Sequence, residues 1–367
     1  MTTIKHSSRR SFLGKMSASL AGISLAGAVG NQLLAQKNPA SDLKSGVDLK
    51  HPHAAVPFVS NKKFVPVMLT PYKKSGEIDF EGLSKLTDFY LAAGAKGLFV
   101  NCLSGEMYSL SEKERLALTT HVVKRVNSAV TVVATGSFGD TLEDKSEFSK
   151  KIYQSGISAV IMISSHFAKA DESDDILIDN FGKFFKLTDN IPMGTYECPS
   201  PYKRIITPYV FNYLLETNRM MYHKDTTIDL AKVKAKIEMV KNNKLEFYDA
   251  CVANTMYSLQ AGAKGMSAIS GNLYPEIIAW MCANSTNPDK QEEVKYIQSQ
   301  ITITEDILTQ NYPLSAKYFL QKRGVPIEVI SRLSKSPLTT EQVQNLDKLY
   351  TVFLGWCARI GVEPVHI

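Results

Sequence analysis

Between Phe64 and Ile269 short apolar runs alternate with segments of helical periodicity, and this alternation leaves few folds open. The runs are Phe64–Leu69, Gly97–Cys102, Thr131–Thr135, Ala159–Ile163, Met193–Tyr196, Arg219–Tyr222, Leu245–Ala250 and Gly265–Ile269. Between them Asp79–Ala93, Ser111–Val126, Thr141–Gln154, Asp174–Leu187, Pro208–Glu216, Ile228–Asn242 and Thr255–Ala261 read as helices. Ser111, followed by Glu112 and Glu114, supplies the capping residue and first-turn acids of a helix start. Runs that are apolar throughout, rather than alternating, predict parallel strands buried on both faces. Eight such units over roughly two hundred residues predict an α/β fold, a closed (β/α)8 TIM barrel rather than an open sheet. No Gly-x-Gly-x-x-Gly turn follows the first strand, which removes the main support for a dinucleotide fold.

The flanks differ in kind. Residues 1–35 read as a targeting segment, because Ser8-Arg9-Arg10-Ser11-Phe12-Leu13-Gly14-Lys15 matches a twin-arginine export signal and an Ala/Gly/Ser-rich stretch follows it. Its low hydrophobicity predicts no stable membrane insertion, and the expected location is the periplasm or the extracellular space, reached by a folded protein. Residues 36–60 read as a flexible leader and 61–289 as the barrel. Residues 290–367 read as a C-terminal helical subdomain, with helices at Gln291–Thr309, Ser315–Lys322 and Thr340–Ile360.

Lys5, Arg9, Arg10 and Lys15 supply four positive charges with no acid before residue 42, so of the formal net charge of +6 only about +2 belongs to the remaining chain. It has no basic stripe and no interleaved aromatic residues, which argues against nucleic-acid binding. The five cysteines are scattered without a Cys-x-x-Cys pair and predict neither a zinc site nor a disulfide framework.

In a barrel of this kind the C-terminal strand ends face one site. Collected there are Thr70, Leu103, Ser104, Gly105, His166, Tyr196, Lys224, Ser267 and Ile269. Lys224 ends the run Met220-Met221-Tyr222-His223, where desolvation disfavours its charged form and frees an amine to attack a carbonyl. Tyr196 would shuttle protons, and Ser104 with the neighbouring turn amides would hold a carboxylate.

Four motifs carry a resemblance. Cys102-Leu103-Ser104-Gly105-Glu106, Tyr196-Glu197-Cys198-Pro199, Lys224-Asp225-Thr226-Thr227-Ile228-Asp229 and Gly262–Ser267 stand in the order seen in one family. Together they resemble the dihydrodipicolinate synthase / N-acetylneuraminate lyase family of Schiff-base-forming class I aldolases, from about Phe64 to the helical tail. The resemblance implies a lyase acting on pyruvate or another 2-oxo acid, with Lys224 as nucleophile and Tyr196 as proton shuttle. It also implies a homo-oligomer, commonly a tetramer. No metal or organic cofactor is expected, since a protonated imine is itself the electron sink.

The sequence departs from the family at three places. Leu103 replaces a relay hydroxyl, His166-Phe167 replaces a tyrosine pair, and the arginine after the Tyr196 motif is displaced to Arg204. A substrate other than that of the synthase is therefore expected. The alternatives are a dehydratase of a deoxy sugar acid, the synthase itself, or a non-catalytic exported sugar-acid-binding protein. His223 and Glu197, by strand alternation, should point behind the barrel. His166 sits at the mouth and could act as an acid/base in place of the missing tyrosine. Asp225 reads as a structural carboxylate, Glu106 as a loop-orienting one, and Tyr108, Tyr202 and Tyr274 as unranked pocket candidates.

Overall fold

The computed structural model describes residues 58–334 and 336–367; the export signal and nearly all of the leader expected from the sequence lie outside them. Eight parallel strands run in the order β1-β8-β7-β6-β5-β4-β3-β2. They are β1 (Lys63–Phe64), β2 (Gly97–Val100), β3 (Thr131–Thr135), β4 (Ala159–Ile163), β5 (Met193–Tyr196), β6 (Met220–Asp225), β7 (Glu246–Asp249) and β8 (Gly265–Met266). A parallel bridge between Val67 and Phe99 joins the two ends of that order and closes the barrel.

The run predicted as Phe64–Leu69 forms a ladder only at its start. Pro66 has no N–H to donate, and its carbonyl instead accepts from the Phe99 N–H at 3.0 Å. The eighth strand is likewise shorter than predicted, because Ile269 already belongs to a 3-10 turn, Ile269–Asn272.

Strand alternation sorts the side chains into two cores. On β4, Ala159, Ile161 and Ile163 face the barrel interior beside Val65, Phe99, Tyr222 and Tyr248. Val160 and Met162 face outward against the helices. Gly194 on β5 is needed inside, since a Cβ there would meet Ile161 Cδ1 at 2.5 Å and Tyr222 Cβ at 2.8 Å.

The helices are α1 (Phe80–Ala92), α2 (Glu112–Val126), α3 (Leu142–Tyr153), α4 (Asp174–Leu187), α5 (Pro208–Glu216), α6 (Leu230–Met239) and α7 (Thr255–Ala261). They continue with α8 (Pro275–Asn284), α9 (Gln291–Ile303), α10 (Glu305–Thr309), α11 (Leu314–Lys322) and α12 (Thr340–Ile360). Ser111 caps α2 through a reciprocal box with Glu114, as its sequence implied. The segment predicted as one helix over 291–309 is two, parted at Thr304. α8, absent from the sequence reading, completes the eighth unit and packs against β1 and the turn after β8. Among the described residues no helix is long and apolar enough to cross a membrane.

The C-terminal helices are held to the barrel by aromatic and ionic contacts. Trp356 of α12 meets Tyr274 edge-on at 5.4 Å, and within the tail Phe319 of α11 packs on Phe353 of α12 at 6.1 Å. Arg323 donates to Glu276 on α8 and to the Leu273 carbonyl, the latter at 2.9 Å.

Candidate active site

β5 and β6 are in register so that Tyr196 is the direct neighbour of Lys224. Both side chains end inside the C-terminal mouth of the barrel, each only 3% exposed. The Lys224 Nζ lies 4.3 Å from the Tyr196 ring centroid and 5.7 Å from that of Phe99. Burial in these apolar walls pulls the amine down to about 8, against the opposing influence of the nearby Cys102 and Cys198 thiols. Burial also pushes the Tyr196 phenol far above its ordinary value, so it stays protonated and available as a donor.

The turn Leu103–Gly105 after β2 supplies the next wall. Gly105 is required there: a Cβ would approach the Met68 carbonyl to 2.9 Å and Thr70 Oγ1 to 3.2 Å. Thr70 donates its hydroxyl to the Gly105 carbonyl at 2.7 Å and so fixes the turn. Glu106 follows in a left-handed conformation, φ 59°, which costs a non-glycine residue about 1 kcal/mol. Its buried carboxylate is held from the C-terminal region: Lys317 Nζ at 2.9 Å, Ser331 Oγ at 2.8 Å and the Arg332 N–H at 2.7 Å all donate to it. It therefore orients the loop, as its position in the sequence suggested.

Ser104 lies against Tyr312, a residue the sequence reading did not single out. The Tyr312 hydroxyl accepts from Asn272 Nδ2 at 2.6 Å, while Asn272 Oδ1 accepts from Tyr90 at 2.5 Å. Leu103 and Ile269 are half-buried and pack on the interior apolar cluster. Ser267 sits deeper, its hydroxyl accepting from Tyr222 at 3.0 Å and donating to the Val65 carbonyl at 2.9 Å.

His166 stands at the rim. Its Nδ1 lies 2.6 Å from the Ser137 carbonyl and its Nε2 lies 3.0 Å from the Tyr108 hydroxyl. Burial lowers it to about 4, so the ring is neutral at physiological pH. Phe167 points away into the outer core, 4.8 Å from Phe181. Of the unranked tyrosines, Tyr108 joins this rim, Tyr202 donates to the Ala168 carbonyl, and Tyr274 is buried against Trp356. Arg204 spends its donors on the carbonyls of Lys169, Glu172 and Ser173 and on Asp174.

Behind β6 lies a second polar cluster. His223 and Glu197 do face outward, with Asp225, in an arrangement whose ligand atoms are close enough to hold a cation. The Lys236 ammonium fills that role, 2.5 Å from Glu197 and 2.7 Å from Asp225. These residues therefore do not fit a metal site. A separate cavity of about 270 Å³ opens at the opposite, N-terminal ends of the strands beside Tyr222 and Tyr248, away from Lys224.

The sequence profile of the dihydrodipicolinate synthetase family matches residues 60–352. The 4-hydroxy-tetrahydrodipicolinate synthase of Oceanobacillus iheyensis is 26% identical over 291 residues, covering 79% of this chain and 97% of that relative. The Bacillus subtilis enzyme of the same name is 26% identical over 280 residues, covering 76% and 94%. Among solved structures, dihydrodipicolinate synthase from Aquifex aeolicus superposes with a TM-score of 0.70 at 18% identity, covering 80% of this chain and 98% of its own. A prophage protein of the dihydrodipicolinic acid synthase family from E. coli, solved with pyruvate, gives 0.71 at 21% identity, covering 80% and 98%. The structural likenesses establish the (β/α)8 fold, and the match across most of the chain establishes that this protein belongs to the dihydrodipicolinate synthetase family.

Proposed function

We propose that the protein is a Schiff-base-forming lyase of the aldolase type, acting on pyruvate or another small 2-oxo acid. The observation that carries this reading is the buried Lys224 amine, lowered to about 8 and seated beside the protonated Tyr196 hydroxyl. The amine attacks C2 of the oxo acid, and Tyr196 passes a proton to the carbonyl oxygen. Loss of water then leaves an iminium on Lys224. The iminium draws electrons from the adjacent carbon, which permits loss of a C3 proton or cleavage of the C3–C4 bond. Ser104, buttressed by Tyr312, binds the carboxylate with its hydroxyl and backbone amide, the Gly105 amide being held by the Cys102 carbonyl at 3.0 Å.

The second substrate differs from that of the named relatives in this reading. Arg204 is committed to backbone carbonyls and Leu103 has no hydroxyl, so a site for a larger sugar acid or a different aldehyde is supported better. We also propose that the chain assembles as a homo-oligomer and is exported through its twin-arginine segment. Localisation of a tagged chain against an Arg9→Lys/Arg10→Lys variant tests the latter.

Borohydride reduction in the presence of pyruvate, read by intact mass and peptide mapping, tests the chemistry. A pyruvyl adduct on Lys224 that vanishes in Lys224→Ala is expected. No adduct with any 2-oxo acid would overturn the lyase reading.

A further inference from the structure

Glu197 comes directly after Tyr196, and with its side chain behind the barrel against α6 it reaches no reacting atom. Yet its polar groups bracket the nucleophile. Its N–H donates to the Lys224 carbonyl at 3.2 Å, which carries the β5–β6 ladder one residue past Tyr196. Its own carbonyl accepts from the Thr226 hydroxyl at 2.7 Å. One carboxylate oxygen, Oε2, accepts from the Thr226 N–H at 2.9 Å and from the Thr227 hydroxyl at 3.4 Å. The other, Oε1, accepts from the Ile206 N–H at 2.9 Å and from the Lys236 ammonium. Oε2 thus holds the loop after β6, Oε1 closes the far end of the loop after β5, and the side chain that joins them is fully buried. Lys236 of α6 supplies the opposite charge that a buried carboxylate requires.

We infer that Glu197 is the positioning residue that sets Tyr196 against Lys224, by clamping the loops after β5 and β6 to one another. The inference rests on the imine reading of Lys224. A carboxylate offers two acceptor oxygens, and here each takes the backbone N–H of a different loop. A glutamine of the same shape offers one acceptor oxygen, and its NH2 only donates. Whichever way the amide turns, Ile206 or Thr226 loses its acceptor. A buried N–H without a partner is unfavourable, so that loop moves to find another. Tyr196 ends β5 and Lys224 stands one residue from the end of β6, so release of either loop shifts the phenol relative to the amine. The Lys224 Nζ now lies 4.3 Å from the Tyr196 ring centroid. Proton delivery to the carbinolamine oxygen depends on that spacing, and a misplacement of about 1 Å slows such a step by about a hundredfold. In the same reading the pyruvate carboxylate sits on Ser104 in the turn after β2, to which none of these Glu197 bonds runs. The clamp therefore acts on rate and not on affinity.

Borohydride trapping at a series of pyruvate concentrations gives a limiting rate of adduct formation and a half-saturating concentration. In Glu197→Gln the limiting rate should fall by about ten- to a hundredfold, while the half-saturating concentration stays within about threefold. Thr226→Val keeps the shape of its side chain and removes the hydroxyl that ties the two loops at the Glu197 carbonyl. Its limiting rate should fall in the same sense, by about three- to tenfold. Urea unfolding of the same samples gives the folded fraction to which each rate is referred. A Glu197→Gln protein that is less stable but reacts at the unaltered limiting rate overturns the positioning role and leaves Glu197 as a partner in an ion pair. So does a rise in half-saturating concentration as large as the fall in rate, since that places the effect on binding. Where Glu197→Gln does not fold, Thr226→Val decides, because Thr226 is half-buried and outside the ion pair; an unaltered limiting rate there overturns the clamp. Absence of any adduct in the unaltered protein overturns the imine reading and the role of Glu197 with it, and is seen before a variant is made.

Discussion

Lys236 donates to Asp225 Oδ2 across 2.7 Å on the outer face of β6, the strand whose inner face carries Lys224. The two lysines are buried alike and differ in their surroundings. Burial alone would lower both; for Lys236 the Glu197 and Asp225 carboxylates more than offset it and raise its pKa. Lys224 has no carboxylate partner among the described contacts and falls. Lys236→Met leaves two carboxylates buried without their cation and should cost roughly 3–5 kcal/mol, measured by urea unfolding. An effect under about 1 kcal/mol would mean that His223 alone compensates the pair.

For Lys224 the lowered value sets a pH profile. The rate of adduct formation with pyruvate should rise with pH and level off above about 8. At neutral pH the free-amine fraction should exceed that of an ordinary lysine by about a hundredfold or more. Continued rise toward pH 10 would show an unperturbed amine.

Asp249 gives the opposite test, one of stability. It is the register partner of Asp225, and burial with that like charge raises it from 3.8 to about 7. The folded state therefore holds a proton that the unfolded state has released. Its stabilising contribution is complete below pH 3.8 and is lost as pH rises to about 7. Asp249→Asn should remove this decline and raise the thermal midpoint at pH 8 relative to the unaltered protein. An unchanged slope across that window would rule out Asp249 as its source.

Tyr312 reaches the site from the segment before α11, and its hydroxyl buttresses Ser104. Tyr312→Phe should raise the pyruvate concentration for half-maximal adduct formation by roughly five- to thirtyfold. The limiting rate should change less, because the hydroxyl positions the carboxylate site and not the amine. A fall in limiting rate alone would place Tyr312 in proton transfer instead.

The fold was legible because its strands are apolar on both faces and a helix start such as Ser111 with Glu114 carries a clear cap. α8 escaped because Pro275-Glu276-Ile277-Ile278-Ala279-Trp280-Met281-Cys282 is apolar on nearly all sides, lying between the barrel and the C-terminal helices. At the site, strand alternation was enough to place Lys224 and Tyr196 inward and His223 and Glu197 outward. Tyr312 was not legible, because it gains its meaning from Asn272, forty residues earlier in the chain. Ser267 and Thr70 have hydroxyls at the predicted strand ends, yet backbone carbonyls claim them, a competition no local pattern reveals.

The carboxylate of Glu106 has a consequence for how the molecule comes into being. Its donors, Lys317, Ser331 and Arg332, are more than two hundred residues away in sequence. During synthesis the strands can pair and Thr70 can tie the turn as they emerge, but the Glu106 carboxylate at the end of that turn has no donors until the late stretch leaves the ribosome. Such long-range closure is slow. The chain thus carries an internal timer: Lys224 is in place on an early barrel, and the loop beside it gains its last support only when the C-terminal stretch arrives.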